Sequence, residues 1–207
     1  MKIAVFGGTG ALGQAIVAQA VAAGHHTVVL ARTSDKMKFT HDNLKLIQGD
    51  GLDKEAVSRT IEGQDAVLCA IGGADLKDAT TRTKVTENIL SAMQHHQVSS
   101  VVICSSLGAG KSKPQLSLVG RVVVSTLLRH AIGDHTAQEA LVQKSDLDWT
   151  IVRPPRLIDG EKTERYRLAE EGESFTGSQI SRSDVAHFML RVLEEKKWNR
   201  KAMAISL

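Results

Sequence analysis

The chain has 207 residues, of which 42% are hydrophobic and 24% charged, and its formal charge is +3. With only 3 Pro and 2 Cys, this composition excludes an intrinsically disordered chain and a small scaffold held by disulfides. Few aromatic residues, and basic residues interleaved with acids, argue against a nucleic-acid-binding protein. We expect a single domain spanning residues 1–207.

No stretch of the chain approaches the roughly 20 apolar residues of a membrane span. The first residues lack an apolar segment followed by a small-residue cleavage site. Cys69 and Cys104 each lie in an apolar run, where a free thiol behaves as a small buried hydrophobe. These features predict a cytoplasmic protein that acts on a small molecule, without a nucleic-acid or membrane partner, and they favour a monomer over an oligomer.

Short β-branched runs alternate with longer segments of helical period along the chain. The runs predict strands over residues 2–6, 27–31, 44–48, 66–70, 100–104, 149–153 and 202–206. The segments between them predict helices over residues 12–23, 53–61, 80–96, 115–130, 136–145 and 183–195. Strands that are apolar on both faces indicate a parallel sheet covered by helices on each side. The predicted fold is therefore α/β, a single Rossmann-type, doubly wound parallel sheet with its ligand at the carboxyl ends of the strands.

The first predicted strand is followed directly by the glycine-rich loop Gly7-Gly-Thr-Gly-Ala-Leu-Gly13. This loop contains both G-x-x-G-x-x-G and G-x-G-x-x-G, and it stands between a strand and a helix, as dinucleotide binding requires. The early glycines permit a tight turn and the approach of a pyrophosphate, and the last one lets the helix pack on the sheet. An ordinary strand-to-helix turn is the alternative. The residues predicted to contact the cofactor here are Gly7, Gly10, Ala11, Leu12 and Gly13.

The residues after the second predicted strand decide which dinucleotide is expected. An acid there holds the ribose hydroxyls of NAD, whereas a basic group holds the 2′-phosphate of NADP. Arg32 lies about 20 residues beyond Gly13, where the discriminating side chain belongs, and Lys36 follows it. Because a planar guanidinium suits a phosphate, we predict NADPH as the cofactor, with Asp35 directed elsewhere. A solvated basic turn is the alternative.

The ends of the remaining strands add further predicted cofactor contacts. Asp50 and Gly51 can offer a carboxylate and a backbone amide to an adenine edge, although a turn or a helix cap explains them equally well. Small residues after the fourth strand would let a ribose lie against the backbone. The predicted contacts at the fourth, fifth and sixth strand ends are Ile71, Gly72, Gly73, Cys104, Ser105 and Pro155.

Several segments of the chain together resemble one protein family. They are Lys2-Ile-Ala-Val-Phe-Gly7 with the glycine loop, residues 18–24 and 63–67, Val101-Val-Ile-Cys-Ser-Ser106, Asp134-His135, Pro154-Pro155 and residues 187–191. The chain resembles the atypical short-chain dehydrogenase/reductase family with an NAD(P)H-binding fold, and within it the flavin reductase or biliverdin reductase type. The resemblance runs from about residue 2 to residue 193 and is weaker over residues 107–133.

The resemblance implies an NADPH-dependent reductase that passes hydride to a flavin (FMN or riboflavin) or to an open tetrapyrrole (biliverdin) bound over the nicotinamide. By position, Thr9, Arg32 and Asp50 would hold the adenosine half of the cofactor. Ser105, Ser106 and His135 would border the nicotinamide. The chain departs from the family in having an arginine after the Pro-Pro pair, where active members can carry a histidine, which counts against a histidine proton donor at that position.

Three residues are candidates for catalysis. Ser106 would contact the acceptor or the nicotinamide carboxamide, or else cap backbone groups at the strand end. Arg156 would pair with acceptor carboxylates or phosphate, or else with neighbouring acids. His135 follows Asp134 at a predicted helix start, where capping by Asp134 explains the pair about as well. No His, Cys or carboxylate recurs at ligand spacing, so no metal site is expected.

Two other function classes compete with a reductase of this type. The Tyr-x-x-x-Lys pair of alcohol-oxidising relatives is absent, because Tyr166, the only tyrosine, has Glu170 four residues on. An NADP-sensing regulatory protein of the NmrA-like kind, which binds the nucleotide without turnover, would lack that pair as well. A nucleotide-sugar epimerase is disfavoured because little chain remains for a sugar lobe. Residues 115–130 are unusually apolar and either pack in the core or offer a partner surface.

Overall fold

The computed structural model describes residues 1–72 and 79–207 of the chain. The strands are β1 (Lys2–Phe6), β2 (His26–Ala31), β3 (Leu44–Gln48), β4 (Ala66–Cys69), β5 (Ser100–Cys104), β6 (Asp148–Arg153), β7 (Arg156–Ile158), β8 (Arg167–Glu170), β9 (Gln179–Ser181) and β10 (Lys201–Ser206). The helices are α1 (Ala11–Ala22), α2 (Lys54–Ile61), α3 (Thr81–His95), α4 (Leu118–Thr126), α5 (Arg129–Lys144) and α6 (Arg182–Glu195).

Within the described ranges, the main sheet has eight strands in the order β3-β2-β1-β4-β5-β6-β10-β8. Neighbouring strands from β3 to β10 run parallel, and β8 pairs antiparallel with β10 at the edge. The chain moves outward from β1 to β3 and then returns to place β4 on the other side of β1. This reversal opens a crevice at the carboxyl ends of β1 and β4, where doubly wound folds bind their ligands. The predicted Rossmann-type fold is confirmed.

Both faces of the sheet are covered, as the apolar strands predict. Ile3 and Val5 of β1 pack in a core cluster with residues of α1 and α6. Ala4 and Phe6 of the same strand pack in a second cluster, with residues of α2 and α3. Side chains alternate between the faces of a strand, so an apolar run is needed wherever helices lie on both sides.

The sequence does not predict the small second sheet or the helix boundaries after β5. β7 and β9 pair in parallel to form this second sheet, and these strands have 3 residues each. The predicted helix over residues 115–130 is wrong: α4 ends at Thr126 and α5 begins at Arg129. The backbone N–H groups of Leu127 and Leu128 both donate to the carbonyl of Val123, so the helix ends without a glycine or proline.

Asp134 is not a helix start either, because it lies inside α5. Its buried carboxylate accepts hydrogen bonds from the backbone N–H groups of Arg82 (2.9 Å) and Thr83 (3.0 Å). Both residues lie in the first turn of α3. Asp134 therefore caps a different helix, from about 50 residues away in the chain. Among the described residues, no helix is long or apolar enough to cross a bilayer.

Candidate cofactor and acceptor site

The glycine loop connects β1 to α1 at the carboxyl edge of the sheet. Gly7 has a φ of +79°, and a Cβ atom on it would lie 2.4 Å from the carbonyl oxygen of Ala70. A Cβ on Gly13 would lie 2.0 Å from the carbonyl oxygen of Gly7. The loop is thus folded so tightly against itself and the end of β4 that only glycine fits at these two positions.

The start of α1 is suited to an anion. Its N-cap residue is Gly10, which has no side chain to cap the helix, and the first turn contains no acidic residue. The first N–H groups of a helix have no partner within the helix, and its dipole favours negative charge at this end. Together with the glycine cradle, this end of α1 fits the pyrophosphate of a dinucleotide.

Arg32 and Lys36 lie on the same edge, just beyond β2. Both side chains are exposed, and neither forms an ion pair with any described residue. Asp35 accepts a hydrogen bond from the hydroxyl of its neighbour Ser34 at 3.2 Å rather than pairing with Arg32. The Nε2 group of Gln14 donates to the carbonyls of Thr9 (3.0 Å) and Lys36 (3.3 Å), which links the glycine loop to this basic turn. Sequence reasoning missed that link.

Asp50 and Gly51 lie beyond β3 and carry structural contacts of their own. The Asp50 carboxylate accepts a hydrogen bond from the backbone N–H of Leu52 at 2.9 Å, which is an Asx turn. The Gly51 carbonyl accepts one from Asn88 of α3 at 3.0 Å. The cap of α2 is instead Asp53, which accepts from the N–H groups of the first helical turn. The turn interpretation of Asp50 therefore has direct support.

The next strand ends along the edge are those of β4 and β5. Ile71 is half-buried and Gly72 exposed, whereas Gly73 lies outside the described residues. The Ser105 hydroxyl is buried and has no hydrogen-bond partner among the described residues. The backbone N–H of Ser105 donates to the carbonyl of Val152 at 2.7 Å, which fixes this residue against β6. An unpaired buried hydroxyl at this point fits a ligand that offers a hydrogen-bonding group.

The two cysteines at these strand ends are packing residues. Burial raises the pKa of Cys69 to about 11 and the pKa of Cys104 to about 12. Both thiols are therefore neutral at physiological pH and unreactive. The Cys104 thiol donates to the carbonyl of Ser105 at 3.6 Å, so its contribution to any cofactor contact is to position the backbone. Among the described residues, no group of three potential ligands could hold a metal ion.

A cleft of about 940 Å³ lies beyond the ends of β5 and β6. Its walls contain Ser106, Pro155 and Arg156, which the sequence places in the site, and apolar residues of α4. The remaining lining residues are Leu107, Leu116, Ser117, Val119, Gly120, Val123, Val124, Leu128, Arg167, Thr176, Gly177, Ser178 and Leu207. The volume matches a pocket for a large organic ligand. The segment of weakest resemblance, residues 107–133, supplies most of the apolar wall.

Two predicted catalytic residues therefore meet in the cleft. Ser106 is half-buried, and its hydroxyl donates a long hydrogen bond of 3.4 Å to the carbonyl of Leu107. Arg156 is exposed and forms no ion pair with any described residue. Asp159, the neighbouring acid that could have neutralised it, pairs with Arg182 at 2.7 Å. Both side chains are thus available to a ligand.

His135, the third predicted catalytic residue, is not among the residues that line the cleft. It belongs to a buried polar cluster on α3 and α5, where Gln138 donates to Thr86 at 2.9 Å. Burial lowers the pKa of His135 to about 3, and the charge of Arg82 lowers it further, against the opposing effect of Asp134. The imidazole is therefore neutral at pH 7 and cannot serve as a proton donor there.

A buried ion-pair network lies beneath the loop after β5, and no sequence pattern considered above predicts it. Arg153, at the end of β6, donates to the two carboxylate oxygens of Glu139 at 2.9 and 2.7 Å. Its third bond, of 2.9 Å, is to Glu171. A Cβ on Gly110 would lie 2.3 Å from the Glu139 carboxylate, so the loop after β5 rests on this pair. The sequence signal for it is an arginine that follows the apolar pair Ile151-Val152 directly before Pro154.

Comparisons with known proteins agree with this geometry. A family model described as NAD(P)H-binding matches residues 7–196. The chain belongs to this NAD(P)H-binding family. The predicted membership of an NAD(P)H-binding family is thereby confirmed, as is a nicotinamide dinucleotide as the cofactor.

Curated relatives match over nearly the whole chain. It is 30% identical over 222 residues to an uncharacterized chloroplastic protein of Arabidopsis thaliana, covering 99% of this chain and 76% of that protein. It is 26% identical over 216 residues to the photosystem II assembly factor Ycf39 of Synechocystis sp., covering 99% of this chain and 62% of that protein. The chain thus spans less than two thirds of the length of Ycf39.

Solved structures share the fold. A short-chain dehydrogenase/reductase of Veillonella parvula in complex with NADP superimposes with a TM-score of 0.82 at 17% identity, covering 100% of this chain and 94% of that one. The anaerobilin reductase ChuY of Escherichia coli O157:H7 gives a TM-score of 0.83 at 22% identity, covering 100% and 97%. The dinucleotide bound in the Veillonella parvula structure is NADP, which carries the 2′-phosphate.

Proposed function

We propose that the protein is an NADPH-dependent reductase that transfers hydride to a flavin or an open tetrapyrrole. The observation that carries this proposal is the row of strand ends along one edge of the sheet. In sheet order, the predicted cofactor contacts are Asp50 after β3, Arg32 after β2, the glycine loop after β1, Gly72 after β4, Ser105 after β5 and Pro155 after β6. This order matches an extended dinucleotide that lies across the switch point with its reactive end beside the cleft.

The chain's own residues would hold the cofactor in two parts. The glycine loop and the start of α1 would bind the pyrophosphate, and Arg32 with Lys36 would bind the 2′-phosphate. Ser105 would offer its unpaired hydroxyl to the nicotinamide end. When bound there, NADPH supplies a hydride to an acceptor in the cleft.

The cleft suits a large acceptor that needs little acid–base assistance. Residues of α4 form an apolar wall for a conjugated ring system, and Ser106 and Arg156 offer hydrogen bonds to its polar groups. None of the described residues that line the cleft has an imidazole or carboxylic acid side chain, so we expect the proton for the acceptor to come from solvent. Catalysis would then rest on positioning and on charge stabilisation.

The test is the oxidation of NADPH and, in parallel, NADH by the purified protein, with FMN, riboflavin, biliverdin and a quinone as acceptors. We expect turnover with NADPH and little with NADH, and the best acceptor identifies the occupant of the cleft. Replacing Arg156 with alanine should raise KM for anionic acceptors and leave KM for the quinone unchanged. Tight NADPH binding without turnover on any acceptor would refute the reductase.

That last result would favour an NADP(H)-sensing regulatory protein of the NmrA-like kind. The specific observation in its favour is the exposed apolar surface of α4, where Leu118 is 78% and Val119 75% exposed. A surface of this kind can bind a protein partner. The relative Ycf39 is named as an assembly factor rather than as an enzyme. The acceptor assay separates the two functions.

A further inference from the structure

We propose that Gln14 sets the preference for NADPH over NADH, because its side chain fixes the basic turn, residues 32–36, against the glycine loop. This inference rests on the part of the proposed function that assigns the 2′-phosphate to Arg32 and Lys36, and it adds a positioning residue to that site. Gln14 is half-buried and bonds to the backbone of both regions. It acts through their positions and need not touch the phosphate itself.

The placement of Gln14 follows from the geometry of a helix start. Gln14 is the fourth residue of α1, and its backbone N–H donates to the carbonyl of Gly10 at 2.8 Å. Side chains of a helix lean toward its N-terminus, so the Gln14 amide reaches back to the glycine loop. Its Nε2 group has two N–H donors, and it bonds to two carbonyls, that of Thr9 and that of Lys36. One side chain thus bridges the pyrophosphate region and the 2′-phosphate region.

The basic turn has few other attachments. It is closed by its own hydrogen bond, from the backbone N–H of Met37 to the carbonyl of Ser34 at 2.9 Å. Among the described residues, Gln14 supplies the one hydrogen bond that joins residues 33–36 to another element, and no ion pair holds them. Met37, which follows the turn, packs against the core. Without Gln14, the turn would therefore remain part of a folded protein but would lose its connection to the glycine loop.

A fixed turn benefits only a dinucleotide that has the 2′-phosphate. In NADPH the pyrophosphate and the 2′-phosphate are attached to the same ribose, so the sites that hold them must keep a set separation. The Gln14 bridge imposes that separation before the cofactor binds, which removes the cost of ordering the turn on binding. Arg32 and Lys36 are both exposed on this turn, so its position decides where their charges lie. NADH has no 2′-phosphate and gains nothing from it.

The experiment measures the Kd of NADPH and of NADH by calorimetric titration, without an acceptor. The test variant is Gln14→Met, which keeps the length and the helix propensity of the side chain and removes both donors. The matched control is Gln19→Met on the same helix. Gln19 is also half-buried, and its Nε2 group donates to the carbonyl of Ser183 at 2.9 Å, which links α1 to α6 rather than to the basic turn.

We expect Gln14→Met to weaken NADPH binding about 5-fold or more and NADH binding less than about 2-fold. Gln19→Met loses a hydrogen bond of the same kind, so it should lower the melting temperature to a similar extent and leave the ratio of the two Kd values unchanged. Gln14→Lys keeps donors that can reach both carbonyls, so it should prefer NADPH at least as strongly as the wild type does. The melting temperature of each variant shows whether it folds.

A double-mutant cycle distinguishes positioning from a general loss of structure. In a protein that carries Arg32→Gln and Lys36→Gln, the turn has no positive charge left to position. Adding Gln14→Met to that protein should therefore change NADPH affinity less than about 2-fold, although the same substitution is costly in the wild type.

Equal losses of NADPH and NADH binding in a folded Gln14→Met protein would overturn the inference, because Gln14 would then support the glycine loop alone. A loss of NADPH binding that persisted undiminished without the two cations would also overturn it. If removing both cations left NADPH binding unchanged, the assigned phosphate site and the inference would fail together. If that removal weakened NADPH binding whereas Gln14→Met did not, only the inference would fail. Since no turnover is measured, a refuted reductase would leave the inference standing.

Discussion

The two halves of the carboxyl edge are built by different means. On the cofactor side, backbone geometry dictates the loop: Gly7 and Gly13 stand where any Cβ would collide with backbone atoms. On the acceptor side, side chains from distant parts of the chain form the walls, with Arg153 of β6 held by Glu139 of α5. One half follows from a local motif, whereas the other follows from packing between elements.

This difference determines where substitutions are tolerated. A cradle that excludes side chains admits little variation, because every substitution meets the backbone itself. A cleft walled by exposed residues of α4, such as Val119, can exchange its lining without loss of the core. The same scaffold can therefore keep one cofactor and acquire different acceptors.

The largest expected effect is on the cofactor half. In Gly13→Ala, the new methyl group would lie 2.0 Å from the carbonyl oxygen of Gly7, so the loop must open. We expect the free energy of unfolding to fall by about 3–4 kcal/mol, measured by thermal melts. We also expect NADPH binding to be lost, measured by calorimetric titration.

The matched control is Gly133→Ala inside α5, where a Cβ meets nothing within 4 Å. Alanine is the better helix former by about 1 kcal/mol, so this variant should be slightly more stable and bind NADPH normally. Equal effects of the two substitutions would show that the cradle at Gly13 is not the cause.

Sequence reasoning predicts the cofactor half better than the acceptor half for a physical reason. The glycine loop and the parallel strands leave local signals: glycine spacing, apolar runs and short connections. Arg32 is found in the same way, because it sits at a set distance from the loop. The site roles of these residues stay predictions, whereas the structure shows that they lie at one edge of the sheet.

The acceptor half could not be predicted in the same way because its contacts join residues far apart in sequence. No local sequence pattern indicates that Arg167 lines the same cleft as Arg156, or that Asp134 caps α3. The break between α4 and α5 carries no glycine or proline, whereas Gly133, which falls between two predicted helices, lies inside α5. Tertiary packing overrides local propensity at each of these points.

The second prediction concerns the buried ion pair. Glu139→Gln leaves the Arg153 charge with less compensation, in a site where both side chains are only 1–2% exposed. We expect a loss of about 3 kcal/mol in unfolding free energy, measured by urea denaturation. KM for the acceptor should rise because the loop over the pair shifts, whereas the Kd for NADPH should stay the same.

An exposed pair provides the control for that variant. Asp159 pairs with Arg182 at 2.7 Å but is 95% exposed. Asp159→Asn should cost less than about 1 kcal/mol. If Glu139→Gln cost as little unfolding free energy, or weakened NADPH binding as much as acceptor binding, the cofactor half and the acceptor half of the edge would not be independent.

The third prediction is a pH dependence. An unfolded histidine takes up a proton below about pH 6.5, whereas His135 in the fold, with its pKa lowered to about 3, stays neutral. The unfolded state then binds more protons between these two values, so stability falls as the pH is lowered through that window. From pH 7 to pH 5 the loss attributable to His135 should reach up to about 2 kcal/mol.

His135→Asn removes the titrating group and keeps a polar side chain of similar shape. Its urea-derived stability should therefore decline less steeply than that of the wild type between pH 7 and pH 5. Asp184, whose pKa is lowered by bonds from Ser181, Thr163 and Glu164, loses its stabilisation only as the pH falls below about 4. Burial also lowers the pKa of His187, so the difference between the two slopes above pH 5, rather than the wild-type slope alone, reports His135. Parallel slopes for the two proteins would contradict the assignment.

The smallest expected effect discriminates between the two cofactors. Arg32→Gln removes a charge that no described residue neutralises, so NADPH should lose one charge-assisted contact and bind about 10-fold more weakly, or about 1.4 kcal/mol. NADH, which has no 2′-phosphate, should bind the variant and the wild type equally. Arg59→Gln on the exposed side of α2 makes the same change of charge away from this edge and should leave both affinities unchanged. A uniform loss for both cofactors in Arg32→Gln would mean that the arginine shapes the β2 turn rather than reading the phosphate.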